Sequence, residues 1–210
     1  GTGSQLVLTA AGDWKTSKAM SVGAITGSGT IDLGTSSIVV KNTTLSSLLS
    51  LISSGKVFSS AATGDGVLTL GTLSGSDYVA VNGTAFLGQT VGTSDALARY
   101  TYAGDVNLDG IITGVDYAQI DASYLAGTYA SGGALWINGD FNHDGKVTLD
   151  DYALIDASFY LSTGYSPAAL ARVAADEARF GAAFTAAFDA AVASAVPEPA
   201  SLGLLGLGVV

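Results

Sequence analysis

Residues 104–124 read GDVNLDGIITGVDYAQIDASY, and residues 139–159 read GDFNHDGKVTLDDYALIDASF. At an offset of 35 the two stretches agree at 13 of 21 positions, and ten of the agreements fall on oxygen-bearing side chains and glycines. In the first, Asp105, Asn107 and Asp109 alternate, Gly110 follows, and Ile111, Thr113 and Asp116 come at fixed steps. In the second, Asp140, Asn142, Asp144, Gly145, Lys146, Thr148 and Asp151 fill the same places. Alternate residues of a tight loop converge on one point, and glycine permits a left-handed turn that a Cβ opposes. Calcium takes six to eight hard oxygens at about 2.3–2.6 Å. The spacing supplies them from the alternating side chains, the carbonyls of Ile111 and Lys146, the ninth-place Thr113 and Thr148, and the twelfth-place Asp116 and Asp151. Two calcium ions are expected, since three carboxylates per loop would otherwise repel at close range.

Each loop runs into a helix. Thr113–Leu125 carries Val115, Ala118, Ile120 and Tyr124, and Thr148–Leu161 carries Ala153, Leu154, Ile155 and Phe159. No helix is expected before either loop, because Leu97–Tyr102 reads as strand and Ala130–Asn138 as a Gly-rich connection. These are EF-hand-like loops in loop–helix units. In these residues the chain resembles the type I dockerin family. The resemblance implies two units packed antiparallel around two calcium ions, and docking onto cohesin modules in cell-surface assemblies. Cellulosomal members favour Ser or Thr at loop positions 10 and 11 and basic residues further along the helix. Here those loop positions hold Gly114-Val115 and Leu149-Asp150, and the helices carry Asp121 and Asp156 with no Lys or Arg. The calcium sites are carried over, and a cohesin-like partner stays as an alternative.

Residues 1–102 read as β structure. Gln5–Thr9, Gly29–Leu33, Ser37–Lys41, Gly66–Thr72, Asp77–Asn82, Ala85–Val91 and Leu97–Tyr102 are short runs rich in strand formers, punctuated by Gly, Ser, Asn and Asp. Alternation in Thr30–Leu33 and Val67–Leu70 suggests a small sandwich. Within it, Leu45, Leu48, Leu49 and Ile52 form one apolar stripe, predicting a helix over Thr43–Ser54 capped by Thr43 or Thr44 and stopped by Gly55.

Ser166-Pro167 opens an Ala-rich amphipathic helix running to about Ser194, with Leu170, Val173, Phe180, Phe184, Phe188 and Val192 along one side. Val196-Pro197-Glu198-Pro199 ends it, and residues 200–210 are an apolar tail. This tail resembles the front of a PEP-CTERM sorting signal, which implies export and a precursor that meets the membrane only through that tail. The apolar run stops at Val210 and no basic cluster follows it. The expected fold is mixed, α+β by segment. It comprises a sandwich-like domain (1–102), a dockerin-like calcium-binding domain (103–162), the long helix (163–195) and the tail (196–210).

A net charge of −10 argues against nucleic acid, which requires clustered Lys and Arg. Charged residues make up only 12% of a chain that is 48% hydrophobic, so its surface must be built largely from Ser, Thr, Asn and Gly. The absence of Cys excludes disulfides and thiolate chemistry, leaving cross-linking to the metal. No zinc His–Glu motif, phosphate loop or nucleophile elbow is present, and no enzyme is expected. His143, at loop position 4, reads as a solvated loop residue, and Asp13, Asp65, Asp77 and Asp95 read as turn residues. Trp14 and Trp136 could stack on sugars, although Trp136 fits better between the calcium units. Asn42 and Asn82 match the N-glycosylation pattern. The function expected is a calcium-stabilised extracellular structural protein, self-assembling into surface filaments or matrix as a homo-oligomer through the apolar tail or an edge strand. The alternatives are a dockerin-type adaptor and a carbohydrate-binding surface module.

Overall fold

The computed structural model describes residues 19–62, 64 and 66–195 and, as backbone alone, two earlier strands, β1 (Gln5–Leu8) and β2 (Asp13–Lys15). The side chains of Asp13, Trp14 and Asp65 and the apolar tail lie outside the described residues. β3 (Met20–Val22), β4 (Ala24–Gly27), β5 (Thr30–Asp32) and β6 (Ser37–Val40) follow. β1 pairs with β4, β2 with β5 and β3 with β6, all parallel. Gln5 opposes Ala24, Asp13 opposes Thr30 and Met20 opposes Ile38, spacings of 19, 17 and 18 residues. A near-constant advance between parallel neighbours makes a coil of three short strands per turn, one turn stacked on the next. This is not the expected sandwich. Alternation correctly marks Thr30–Leu33 as strand, but a period of two is the same in a coil wall and in a sandwich face.

After β6 comes α1 (Leu45–Ser53), capped by Thr44, whose Oγ1 accepts from Ser47 N at 3.2 Å, and ended at Gly55 with φ +70°. β7 (Val57–Phe58) pairs parallel with β5 and begins a third turn. Leu48 of α1 is fully buried in one cluster with Val22, Ile31, Leu33, Ile38 and Val57, so the helix closes that end of the coil. Then follow β8 (Leu68–Ser74), α2 (Gly75–Asn82), the hairpin of β9 (Ala85–Phe86) and β10 (Gln89–Thr90), and β11 (Ala96–Tyr102). The expected strand over Asp77–Asn82 is thus helix α2. Ser74 Oγ accepts from Asp77 N at 3.1 Å, a cap that outweighs the strand preference of Tyr78, Val79 and Val81. Asp95 is more than a turn residue: it is buried, ion-paired to Lys41 at 2.6 Å, and accepts from Gly92 N and Asn42 N.

β11 runs antiparallel between β6 and β8, giving a four-stranded sheet in the order β3-β6-β11-β8. Both faces are covered. Ile38, Val40, Leu70, Ala96 and Ala98 face the coil core. Val39, Leu73 and Leu97 face a second core with Val106, Leu108, Ile112, Trp136 and Phe141 from the repeat region. The core is therefore continuous across the expected boundary at residue 102.

The repeats supply α3 (Gly114–Ala126), a 3-10 turn at Trp136–Asn138 and α4 (Leu149–Ser162). They are related by reciprocal contacts. Tyr117 OH donates to Asp156 and Tyr152 OH to Asp121, both at 2.6 Å. Gly104 sits against Ile155 and Gly139 against Ile120, so close that a Cβ would come within 2.4 and 2.8 Å of those side chains. The expected single C-terminal helix is two, α5 (Pro167–Phe180) and α6 (Ala182–Ala195), broken at Gly181 with φ +74°. α6 packs along α4, and among the described residues no helix is long and apolar enough to cross a membrane. α5 brings the cations that α3 and α4 lack. Arg172 stacks 4.1 Å over Tyr117 and meets Asp176 at 3.2 Å, while Arg179 stacks on Tyr152 and meets Asp121 at 3.1 Å.

Two predictions follow from this packing. Gly104→Ala and Gly139→Ala should each lower stability by ~2–3 kcal/mol, since both add strain at positive φ and a clash. Gly114→Ala, which meets nothing within 4 Å, should be neutral or slightly stabilising in the same melts. The adjoining carboxyls of Asp156 and Asp176 are both pushed upward, mainly by burial. An acid that ionises later when folded adds stability at low pH, and that stability is lost as pH rises through its folded value. Hydrogen exchange across 167–180 should therefore quicken from pH 5 to pH 8 beyond its intrinsic increase, and Asp156→Asn should flatten that excess.

Candidate functional site

The two loops share one set of hydrogen bonds. Asp105 accepts from Asp109 N and Gly110 N, both at 2.9 Å, and Asp140 accepts from Asp144 N and Gly145 N, both at 3.0 Å. Asn107 Oδ1 accepts from Asp109 N and Asn142 Oδ1 from Asp144 N. Asp109 and Asp144 accept from the backbone N–H of Ile111 and Lys146. Asp116 Oδ1 accepts from Val106 N at 3.0 Å and Oδ2 from Thr113 N at 2.8 Å. Asp151 repeats this with Phe141 N and Thr148 N at 2.8 and 2.9 Å. The first and last carboxylates therefore hold the loop shut at both ends. Gly110 and Gly145 adopt φ of +95° and +83°, the left-handed turn expected of them. The Ile111 and Lys146 side chains point to solvent, so only their main chain is available to the loop interior.

Thr113 and Thr148 have a role that the ligand pattern alone did not reveal. Each Oγ1 accepts from the helix start, from Val115 N at 3.2 Å and from Asp150 N at 3.3 Å. With Asp116 and Asp151 three residues on, each forms a capping box. The signal was present as Thr-x-x-Asp in both repeats.

Asp105, Asp116 and Asp151 are fully buried and Asp140 nearly so. Burial pushes Asp105 up to about 6 and Asp151 up to about 7, and raises Asp116 and Asp140 as well. Donors from the Thr101 and Thr113 hydroxyls and from backbone N–H groups only partly offset this cost. Among the described residues no three His, Cys, Asp or Glu side chains make a metal cluster by themselves. The donor set is mixed: carboxylates, the Asn107 and Asn142 amide oxygens, and main-chain carbonyls. All are hard oxygens, which fits calcium and suits no soft metal.

The first loop is fastened to the sheet layer. Trp136 Nε1 donates to Asp105 O at 2.8 Å, Asn82 Nδ2 to Asn107 O at 2.8 Å, and Arg99 Nη1 to Leu108 O at 2.5 Å. Trp136 is 1% exposed, which removes it as a sugar platform and places it between the units. His143 is exposed at its loop position and stacks on Trp136 at 5.6 Å. Asn82, one of the two glycosylation-pattern residues, has its amide engaged in the loop contact.

Two family models match the chain. Residues 103–160 match the dockerin type I domain, and residues 195–210 match the PEP-CTERM protein-sorting motif. No curated protein and no solved structure matches. Reciprocal helices, paired loops and the C-terminal motif converge: the chain carries a type I dockerin domain followed by a PEP-CTERM protein-sorting motif, the combination of an exported, cell-surface protein.

Proposed function

We propose that this is a non-enzymatic, calcium-stabilised structural module of a cell-surface protein. One calcium ion per loop is held by Asp105, Asn107, Asp109, the Ile111 carbonyl and Asp116, and by Asp140, Asn142, Asp144, the Lys146 carbonyl and Asp151. Thr113 and Thr148, occupied as caps, contribute at most through water. The observation that carries the reading is the burial of four loop carboxyls, whose hydrogen-bond donors only partly offset the cost of ionising there. A divalent cation would neutralise them and fix the loops against β8 and β11. Self-assembly into filaments or matrix belongs to this reading.

A second reading, docking of a cohesin-like partner, has one observation in its favour. Val115, Ala118, Ala122 and Leu125 form an exposed apolar stripe on α3, with Val115 63% and Leu125 75% exposed. The equivalent residues Ala153 and Ala157 on α4 are fully buried, α4 being the helix that α6 packs along. One face is covered within the chain and its twin is open.

Chelation should lower stability by ~3 kcal/mol or more, because binding to the folded state alone adds stability by mass action. Asp105→Ala and Asp140→Ala should each reproduce part of that loss, and equal melting temperatures with and without calcium would refute the metal assignment. Electron microscopy should show large assemblies in calcium that disperse in EDTA. A soluble one-to-one complex with a captured partner, abolished by Val115→Asp or Leu125→Asp, would select the second reading instead.

A further inference from the structure

The parallel coil is closed at one end and open at the other. At the closed end α1 buries Leu48 in the coil core, β7 lies on β5, and β11 lies on β6. At the open end, β1, β2 and β3 each pair on one side only among the described residues, with β4, β5 and β6 respectively. These three consecutive strands form one turn of the coil, so all three edges face the same way. The core thins in the same direction. Ile31, Leu33, Ile38 and Val40 of the second turn are 0–1% exposed, whereas Val22 of the first turn is 7% exposed and Met20 is only half-buried.

We propose that this edge is a stacking face for a further coil of parallel β structure, about 18 residues per turn, entering β1 from its N-terminal side. A row of N–H and C=O groups with no strand partner among the described residues, beside a half-buried Met20, is a template for another strand. Here the template has three sides, so one added strand satisfies only a third of it. An occupant that continues the existing pairing carries three short strands at the same spacing, each parallel to its neighbour. A second copy of this chain has no such surface to offer. Its closed end is occupied by α1, β7 and β11, and its open end would present its strands in the opposite sense. The occupant that fits is a turn repeating the 17–19-residue advance of the existing ones. Residues 41–102 then act as the terminal cap of a solenoid, the element such stacks require at their ends. This deepens the structural-module reading by naming what the edge receives, and it does not depend on calcium.

The test is a tandem duplication of residues 5–23 inserted ahead of Gln5 in the full chain, all measurements being made in calcium. A coil stack accepts a whole extra turn, because stability in such stacks is nearly a sum of turns and interfaces. The duplicated protein should fold as a monomer, with a melting temperature equal to or above that of the parent. Its scattering profile should lengthen by ~4.8 Å, one strand spacing. Edge amides of Gln5–Leu8 and Met20–Val22 that exchange rapidly in the parent should become protected. An insertion of ten residues, out of step with the coil, should give no such protection. Unfolding or a lowered melting temperature of the duplicated protein would overturn the proposal. So would edge amides in the parent whose protection rises with concentration, since the occupant would then be a second copy. The chelator melts test the calcium reading separately, so the two can fail independently.

Discussion

The four-stranded sheet has no free face, and everything else in the molecule is arranged around that constraint. Strand Ser37–Val40 is buried along its whole length because its two sides feed different cores. Neither layer can leave without exposing the Val, Ile and Leu side chains of the sheet to water. At roughly 25 cal/mol per Å² of apolar surface, this binds coil and repeat region into a cooperative unit. The polar links of Trp136, Asn82 and Arg99 to the first loop add direction to a contact whose strength comes mainly from burial.

Seen from this sheet, a cation in the loops would act less as a ligand than as a fastener. Small charged content and no cysteine leave the chain few ways to lock its last third in place. Carboxyls at the start and end of each loop reach back to hold main-chain N–H groups, so the loop geometry exists around the charges it must neutralise. Asp121 and Asp156 serve a different purpose. Asp121 meets both arginines of α5 and Tyr152 of the opposite repeat, and Asp156 meets Tyr117 and the Asp176 carboxyl of α5, so both tie the C-terminal helices to the repeats.

The repeat was legible because its chemistry demands particular residues at particular steps. Asp105, Gly110 and Asp116 could be placed from the sequence alone, as could the Thr44 cap and the Ser166-Pro167 helix start. The coil was not legible. Parallel pairing joins residues 17–19 apart through turns of ordinary composition, and strands of three or four residues carry too little pattern to reveal their neighbours. Helix α2 was hidden by β-favouring residues between a cap and a glycine. Gly181 shows the opposite case: an Ala-rich run looked continuous, and one positive φ broke it into two helices. The arginines that meet Asp121 lie on α5, 51 to 58 residues further along, where no local reading would look for them.

The reciprocal contacts of Gly104 with Ile155 and of Gly139 with Ile120 have a thermodynamic meaning. Each loop begins at a glycine pressed against the helix that the other loop initiates. Ordering one loop therefore lowers the entropy still to be lost by the other. With a cation in each loop, as proposed, two sites joined in this way would fill as a pair, the second step favoured by the first. The duplicated sequence would then behave as one device with two halves, and damage to either half would be felt at both.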